Sequence, residues 1–225
     1  AATTKGFAIW RDTGVMDRVK VMRKAAELLR ERAGDIAWLM TREQGKPLAA
    51  ARIEVGIALR ILRHYAAWED RPEVIRDAAG ERVSIDRIPV GVAGLIVPWN
   101  YPLAILFMKL GPALRAGNAV VVKPAPTTPL ATLRLAAILA TVLPPGVVNT
   151  VTGGSAVGQA LTAHPGIAKL SFTGSTATGR AVMGAAAPTL KRLTLELGGN
   201  DPAIVLADAD IGRTAARLYA SAFSN

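Results

Sequence analysis

The sequence contains no cysteine. Disulfides, cysteine-ligated zinc and thiol catalysis are therefore excluded within these 225 residues. The two histidines, His64 and His164, are too few for a His-rich metal site, and the first lies in a helical stretch while the second precedes a proline in a turn. No apolar run escapes Pro, Gly or charge for the roughly 18 residues that a membrane span needs. Aromatic residues make up only 5%, which leaves few platforms for stacking single-stranded nucleic acid. Acidic residues are also scarce, 17 against 27 basic ones, for a net charge of +10. Much of that basic charge is interleaved with acids at helical spacing, as in Arg18, Lys20, Arg23, Lys24, Glu27, Arg30, Glu31 and Arg32. This is the pattern of a solvated helix face, so no nucleic-acid partner is expected. No secretory leader is expected either, since Lys5, Arg11 and Asp12 interrupt any apolar segment after Ala1, and a cytoplasmic location follows.

What remains is a globular composition, 51% hydrophobic and 20% charged, long enough for one large domain or two small ones. The first ninety residues are mainly helical in pattern. Val21, Ala25, Leu28 and Leu29 form an apolar stripe that predicts a helix over Met16–Ala33, ended by Gly34. A second helix is expected over Asp35–Glu43, stopped by Gly45, and a third with Pro47 in its first turn, running to Trp68. Glu81–Val90, after the Gly80 turn, alternates as an extended segment does.

From Gly91 onward short apolar runs alternate with alanine-rich stretches. The runs are Val92–Val97, Ala119–Val122, Val147–Val151, Lys169–Phe172 and Leu193–Leu197. Helices are expected between them at Leu103–Arg115, Leu130–Thr141, Ala156–Ala163 and Thr176–Ala186. Strand–helix–strand repeated four times implies parallel strands joined by right-handed crossovers. Nearly continuous Val, Ile and Leu implies a sheet covered on both faces. The expected fold is α/β, a doubly wound Rossmann-like parallel sheet preceded by helices.

Such sheets bind ligands at the carboxyl ends of their strands. The residues there are Pro98-Trp99-Asn100, Lys123-Pro124, Thr152-Gly153-Gly154, Thr173-Gly174-Ser175 and Gly198-Gly199, a mixture of glycine with polar or basic side chains that suits a nucleotide. The usual GxGxxG dinucleotide fingerprint is absent. The strand-end segments Val97-Pro98-Trp99-Asn100-Tyr101-Pro102, Lys123-Pro124-Ala125, Phe172-Thr173-Gly174-Ser175-Thr176 and Leu195-Glu196-Leu197-Gly198-Gly199 resemble, in order and spacing, motifs of the NAD(P)-dependent aldehyde dehydrogenase superfamily. Thr41–Pro47 is similar to a helix–loop of its semialdehyde and betaine-aldehyde branches, and the resemblance runs from Phe7 to Asn225.

The resemblance implies an NAD or NADP cofactor and an aldehyde substrate. It implies a cofactor-binding set of Pro98, Trp99, Asn100, Lys123, Pro124, Ala125, Pro126, Gly153, Gly154, Thr173, Gly174, Ser175 and Leu197, with Asn100 and Glu196 as catalytic groups. The chemistry is reasonable residue by residue. A neutral amide such as Asn100 can donate to an oxyanion, although an isolated Asn before Pro102 also suits an Asx turn. Glu196, between two leucines, should be desolvated and held above the usual carboxylate range, as a general base requires. Lys123 can reach ribose hydroxyls or phosphate; the alternative is a snorkelling surface lysine. Thr173–Ser175 precede a helix whose amino end can cradle a pyrophosphate, or form an ordinary cap. By resemblance, Trp99, Tyr101 and Met108 line the substrate tunnel or nicotinamide pocket, and Lys109 belongs to a proton relay.

There are departures from the family pattern. Pro126 stands where NAD-preferring members often carry a ribose-binding glutamate, which leaves room for the 2′-phosphate of NADP. Met108 stands where some members acting on succinate semialdehyde carry arginine. Ser221–Asn225 is similar to the run-up to the family's A-G-Q-x-C motif, which implies a cysteine nucleophile just beyond Asn225. The implied organisation is a cofactor domain over 1–197, with 73–90 contributing part of a β oligomerisation arm, and the start of a catalytic domain over 198–225. A homo-oligomer, dimer or tetramer, is expected. A second reading is a non-catalytic nucleotide-binding or interaction protein.

Overall fold

β-branched runs need partners on both edges and cover on both faces, and the chain supplies both. The computed structural model describes residues 1–69 and 72–223; Ser224 and Asn225, which close the cysteine-motif run-up, lie outside the described residues. Four helices come first: α1 (Ala2–Asp12), α2 (Val15–Glu31), α3 (Ala33–Gln44) and α4 (Leu48–Ala67). An antiparallel hairpin of β1 (Glu73–Ala78) and β2 (Glu81–Ile85) follows, turning at Gly80 with φ 84°. The remainder alternates: β3 (Val92–Ile96), α5 (Pro102–Arg115), β4 (Ala119–Lys123), α6 (Leu130–Leu139), β5 (Val148–Thr150), α7 (Ser155–Ala163), β6 (Lys169–Gly174), α8 (Thr176–Ala186), β7 (Arg192–Leu197) and α9 (Ile211–Ala222).

The five later strands form one parallel sheet in the order β5-β4-β3-β6-β7. The chain steps outward from β3 to β5, then returns to the other side of β3 to lay down β6 and β7. Strand β3 is therefore where the winding direction reverses, and its carboxyl end is the expected ligand crevice. Alternation along the strands divides the core in two. Ala93, Leu95, Val97, Val120 and Val122 pack with α2–α6. Val92, Leu170 and Phe172 pack with Leu161 of α7 and Val182 and Ala186 of α8. By the same alternation Lys123 falls on the α7–α8 face, whereas Ser171 and Glu196 fall on the α5 face.

The boundaries correct the sequence reading in several places. Helix α1 was not anticipated; Trp10 buries fully and donates Nε1–H to the Leu114 carbonyl, while Gly6 rides on the Gly146–Val147 backbone too closely for any side chain. Gly34 does not end a helix. The break lies at Arg32, and Gly34 sits in the first turn of α3, where glycine costs little. Gly45 does stop α3, at φ 80°, and Pro47 caps α4 rather than entering its first turn. Arg18 is not solvated as expected: it turns inward and donates to the carbonyls of Trp10, Arg11 and Thr13, satisfying the carboxyl end of α1.

The helical layer also holds the sheet's crossover helices by their amino ends. Glu54 of α4 is fully buried; its Oε1 accepts the Leu103 and Ala104 amides at the start of α5, at 2.9 and 3.2 Å. Its Oε2 pairs with Lys46 Nζ at 2.6 Å, and Lys46 also donates to the Asn100 carbonyl at 2.6 Å. Glu43 does the same for α6, accepting from Leu130 and Ala131; burial pushes its carboxyl up, and these two amides oppose the shift. Replacing Glu54 with alanine leaves Lys46 buried without its counter-charge and two helix amides unpaired. Glu54→Ala should therefore lower stability by about 3–5 kcal/mol, read as a fall in the urea midpoint; a change below ~1 kcal/mol would show that the pair is dispensable.

Candidate functional site

The carboxyl ends of β3, β4 and β6 open into a cleft of about 700 Å³. Of the thirteen expected cofactor-binding residues, Pro98, Trp99, Lys123, Ala125, Pro126, Gly154, Thr173, Gly174 and Ser175 line it. Register explains the convergence, because Ile96 stands opposite both Lys123 and Phe172 in the parallel ladder. Sequence reasoning missed Ser155, Gly158, Gln159 and Thr162 on α7 and Ala177, Thr178 and Ala181 on α8, which form the opposite wall. The small residues of α7 and α8 were the available signal. Gly158 is open where Lys123 crosses toward α7: a Cβ there would stand 3.6 Å from Lys123 Cε.

Lys123 is buried rather than snorkelling, with Nζ donating to the Pro124 carbonyl at 3.3 Å, and burial pushes its pKa down. Among the described residues no carboxylate pairs with it, so the cleft presents a cation suited to an anionic or polyhydroxylic ligand. Thr173 Oγ1 is buried without a hydrogen-bond partner. By strand alternation that hydroxyl falls on the α5 face of β6, in register with Glu196 and on the side of the sheet away from Lys123. Ser175 caps α8, accepting from the Thr178 amide at 3.2 Å, so the cap and the cradle coincide at one helix amino end.

Four expected residues stand outside the cleft lining. Pro124 is buried behind Lys123 and supplies the carbonyl that holds it. Gly153 makes the turn before α7 at φ 146°, where a side chain would meet Val157. Leu197 packs over Gly179 of α8. Asn100 lies one residue beyond the lining: its Oδ1 accepts the amide of the very next residue, Tyr101, at 3.0 Å, one residue short of the bond an Asx turn makes. That bond occupies the side-chain oxygen and leaves Nδ2 as the group with donor capacity. Tyr101 carries Lys46 Nζ 3.9 Å above its ring, and Trp99 is 60% exposed at the cleft mouth.

Glu196 departs from expectation. It is exposed, not desolvated, because β7 is an edge strand whose α5 face is incompletely covered. Its neighbour across that face is Lys109, 8% exposed, which donates to Ser171 Oγ at 3.0 Å. Burial pushes Lys109 down to about 8; attraction to Glu196 opposes the shift and repulsion from Lys169 adds to it. Met108, expected to line the substrate tunnel or nicotinamide pocket, stands outside the strand-end cleft and lines a groove with Arg60, Ile61, His64 and Tyr65. A cavity of about 640 Å³ at the far end of α5, lined by Tyr65, Trp68, Glu69, Arg87, Pro112, Arg115 and Ala116, gathers none of the strand-end residues. Among the described residues no cluster could hold a metal ion, and no helix is long and apolar enough to cross a membrane.

A doubly wound sheet with a glycine-bearing cleft at its switch point defines a dinucleotide-type α/β protein. The chain belongs to the aldehyde dehydrogenase family, whose pattern matches residues 1–225. It is 41% identical over 232 residues to mitochondrial succinate-semialdehyde dehydrogenase of Arabidopsis thaliana, and 41% identical over 231 residues to succinate-semialdehyde dehydrogenase [NADP(+)] GabD of Escherichia coli K12. All of the chain is matched in each case, against 44% and 48% of those relatives, so the chain spans about half their length. Among solved structures, PnpE in complex with nicotinamide adenine dinucleotide superposes at a TM-score of 0.94 with 37% identity, covering 98% of this chain and 46% of that one.

Lys109 has a measurable consequence for stability. The unfolded chain keeps this proton up to about 10.5, the folded chain only to about 8. Burying the charge thus costs stability below pH 8, and the cost disappears as pH rises toward 10.5. Lys109→Met should remove that rise, so the difference in urea midpoint between variant and wild type should narrow from pH 7 to pH 10. A pH-independent difference would show that Lys109 is not desolvated.

Proposed function

We propose that the polypeptide carrying this chain oxidises an aldehyde to a carboxylic acid with NAD or NADP, through a thioester on a cysteine that lies outside these residues. The observation that carries this reading is the single cleft that gathers Lys123, the Thr173–Ser175 helix start and Pro98–Trp99, with the Asn100 amide beside it. Nicotinamide dinucleotide supplies a two-electron acceptor when bound. Lys123 would hold its ribose or phosphate oxygens, and the Thr173–Ser175 turn at the amino end of α8 its pyrophosphate. Asn100 Nδ2 would donate to the oxyanion formed when the thiol attacks the carbonyl carbon. Glu196 would take a proton from the water that hydrolyses the acyl-enzyme, with Lys109 close enough to share the charge. For that role Glu196 needs cover over β7, which other polypeptide must supply.

The domain reading belongs to the same proposal: a cofactor domain over 1–197, an oligomerisation arm within 73–90 and the beginning of a catalytic domain from 198. In support, no residue of 198–223 is buried, while Ile204, Leu206, Ile211, Tyr219 and Phe223 are exposed. The hairpin β1–β2 is exposed on every residue, which suits an arm that pairs with a second subunit in a homo-oligomer. The names of two relatives specify succinate semialdehyde and one specifies NADP(+). Pro126 lines the cleft without a carboxylate, which favours acceptance of NADP at least as well as NAD.

Thermal-shift titration of the 225-residue chain tests the binding half. Both dinucleotides should stabilise it, NADP no less than NAD; Lys123→Ala should weaken both, and Pro126→Glu should weaken NADP selectively by repulsion of its 2′-phosphate. No shift with either cofactor would overturn the reading. In the cysteine-bearing enzyme, Asn100→Ala should lower turnover by ~10²–10³, the usual cost of losing one oxyanion donor. A wild-type rate would remove Asn100 from the chemistry. Cofactor binding with no aldehyde oxidation by that enzyme would favour a non-catalytic nucleotide-binding protein.

A further inference from the structure

The end of α5 away from the Asn100 turn carries a second concentration of charge. A cavity of about 230 Å³ lies there, where the carboxyl end of α5 meets the first turn of α2 and the connector into β3. Four arginines, Arg11, Arg18, Arg87 and Arg115, and one carboxylate, Asp86, line it. Helical rise over the 14 residues of α5 places it about 20 Å from the Asn100 turn. It shares no lining residue with the strand-end cleft.

Two of these arginines are buried. Arg18 and Arg115 are 7% and 8% exposed, and among the described residues neither has an ion-pair partner. Arg18 spends Nη1 on three carbonyls at the end of α1, which offer only partial charge, and its buried Nε has no partner. Gly117, at φ 90°, lies against this guanidinium, where a Cβ would stand 3.2 Å from Nη1. Arg115 spends Nε and Nη2 on the Trp68 carbonyl. Burial pushes Arg18 down, and repulsion from Arg115 pushes it further. The other charged groups of the wall have partners: Arg11 pairs with Asp12, Arg87 lies 3.9 Å from Glu73, and Asp86 accepts from Ser84 Oγ at 3.3 Å. Two buried like charges on one cavity carry a cost in desolvation and repulsion. A single oxyanion between them would offset both, because a guanidinium fork matches its oxygens.

We propose that this cavity is an anion site in which a tetrahedral oxyanion, phosphate either free or as the end of a small phosphomonoester, bridges Arg18 and Arg115.

The net charge of +10 attracts any anion, so the test has to localise binding. With ¹⁵N-labelled arginine, at constant ionic strength in chloride, inorganic phosphate should move the Nε–H signals of Arg18 and Arg115 saturably, each assigned by its lysine variant. Arg115→Met should weaken phosphate at least about tenfold, as expected for loss of a charge-assisted bond, and Arg115→Lys should keep most of the affinity. Arg63→Met, which removes an exposed charge from α4, should keep all of it. Lys123→Ala should leave both signals responsive, which separates this site from phosphate held in the cofactor cleft. Phenyl phosphate distinguishes the two sources: binding tighter than inorganic phosphate assigns the site to a phosphomonoester, weaker binding to the free anion. Signals that stay in place with both probes, a response lost in Lys123→Ala, or an equal loss of affinity in Arg63→Met and Arg115→Met would each overturn the proposal. So would a response seen only in Asp86→Asn, which would show that Asp86 already serves as the counter-charge.

Discussion

The Glu54 carboxylate is the constraint on which the site depends. It sits at the amino end of α5, where four amides have no partner within the helix, and it closes two of them. Through Oε2 it also holds Lys46, and Lys46 holds the carbonyl of Asn100. One buried carboxylate thus fixes where α5 begins, how the chain turns off β3, and which way the Asn100 side chain faces. Remove the charge and the turn loses both its anchor on the backbone and the cation over Tyr101. The interaction is ionic yet fully enclosed, so its desolvation is offset only while every one of its hydrogen bonds is made.

This arrangement also explains why a helical layer precedes the sheet. Parallel strands leave crossover helices whose amino ends point at the ligand crevice, and α5 and α6 each need an acceptor there. Glu54 and Glu43 come from α4 and α3 and reach the two helices from outside the sheet. The amino end of α8 is different. It is capped only by the short side chain of Ser175 and stays open to the cleft. Of the crossover helices, α7 and α8 carry no carboxylate cap among the described residues, and both of their amino ends meet the cleft, where an anion is favoured.

Much of this was legible in the sequence. Strand runs and glycines placed the five parallel strands to within a residue or two, because a doubly covered sheet leaves a continuous β-branched signature. The strand-end rule then gathered seven of the cleft residues without any distance being known, and the family resemblance added Ala125 and Pro126. The rule fails where side chains act across the sequence. Glu54 reads as an ordinary helix acid until its position is set against Ala51, Val55, Ala58 and Leu62, all buried; a charge on that stripe is the available sign that it has a buried partner. Glu196 failed in the opposite direction. Its leucine neighbours point to the other face of β7, so an apolar sequence context did not mean an apolar environment.

That failure bears on how the proposed catalytic groups are divided. On the α5 face of the sheet, Lys109 is buried and short of counter-charge, while Glu196 is exposed and within its electrostatic reach. A surface laid over β7 would enclose Glu196 on the same face of the sheet as Lys109. Without cover the carboxylate is solvated, and Lys109 relies on Ser171 alone for a hydrogen bond. The cofactor cleft, by contrast, is walled entirely by β3, β4, β6, α7, α8 and their connecting turns. In the proposed function the two tasks would therefore make different demands: dinucleotide binding would draw on the cleft these residues line, and activation of water on a surface laid over the edge strand.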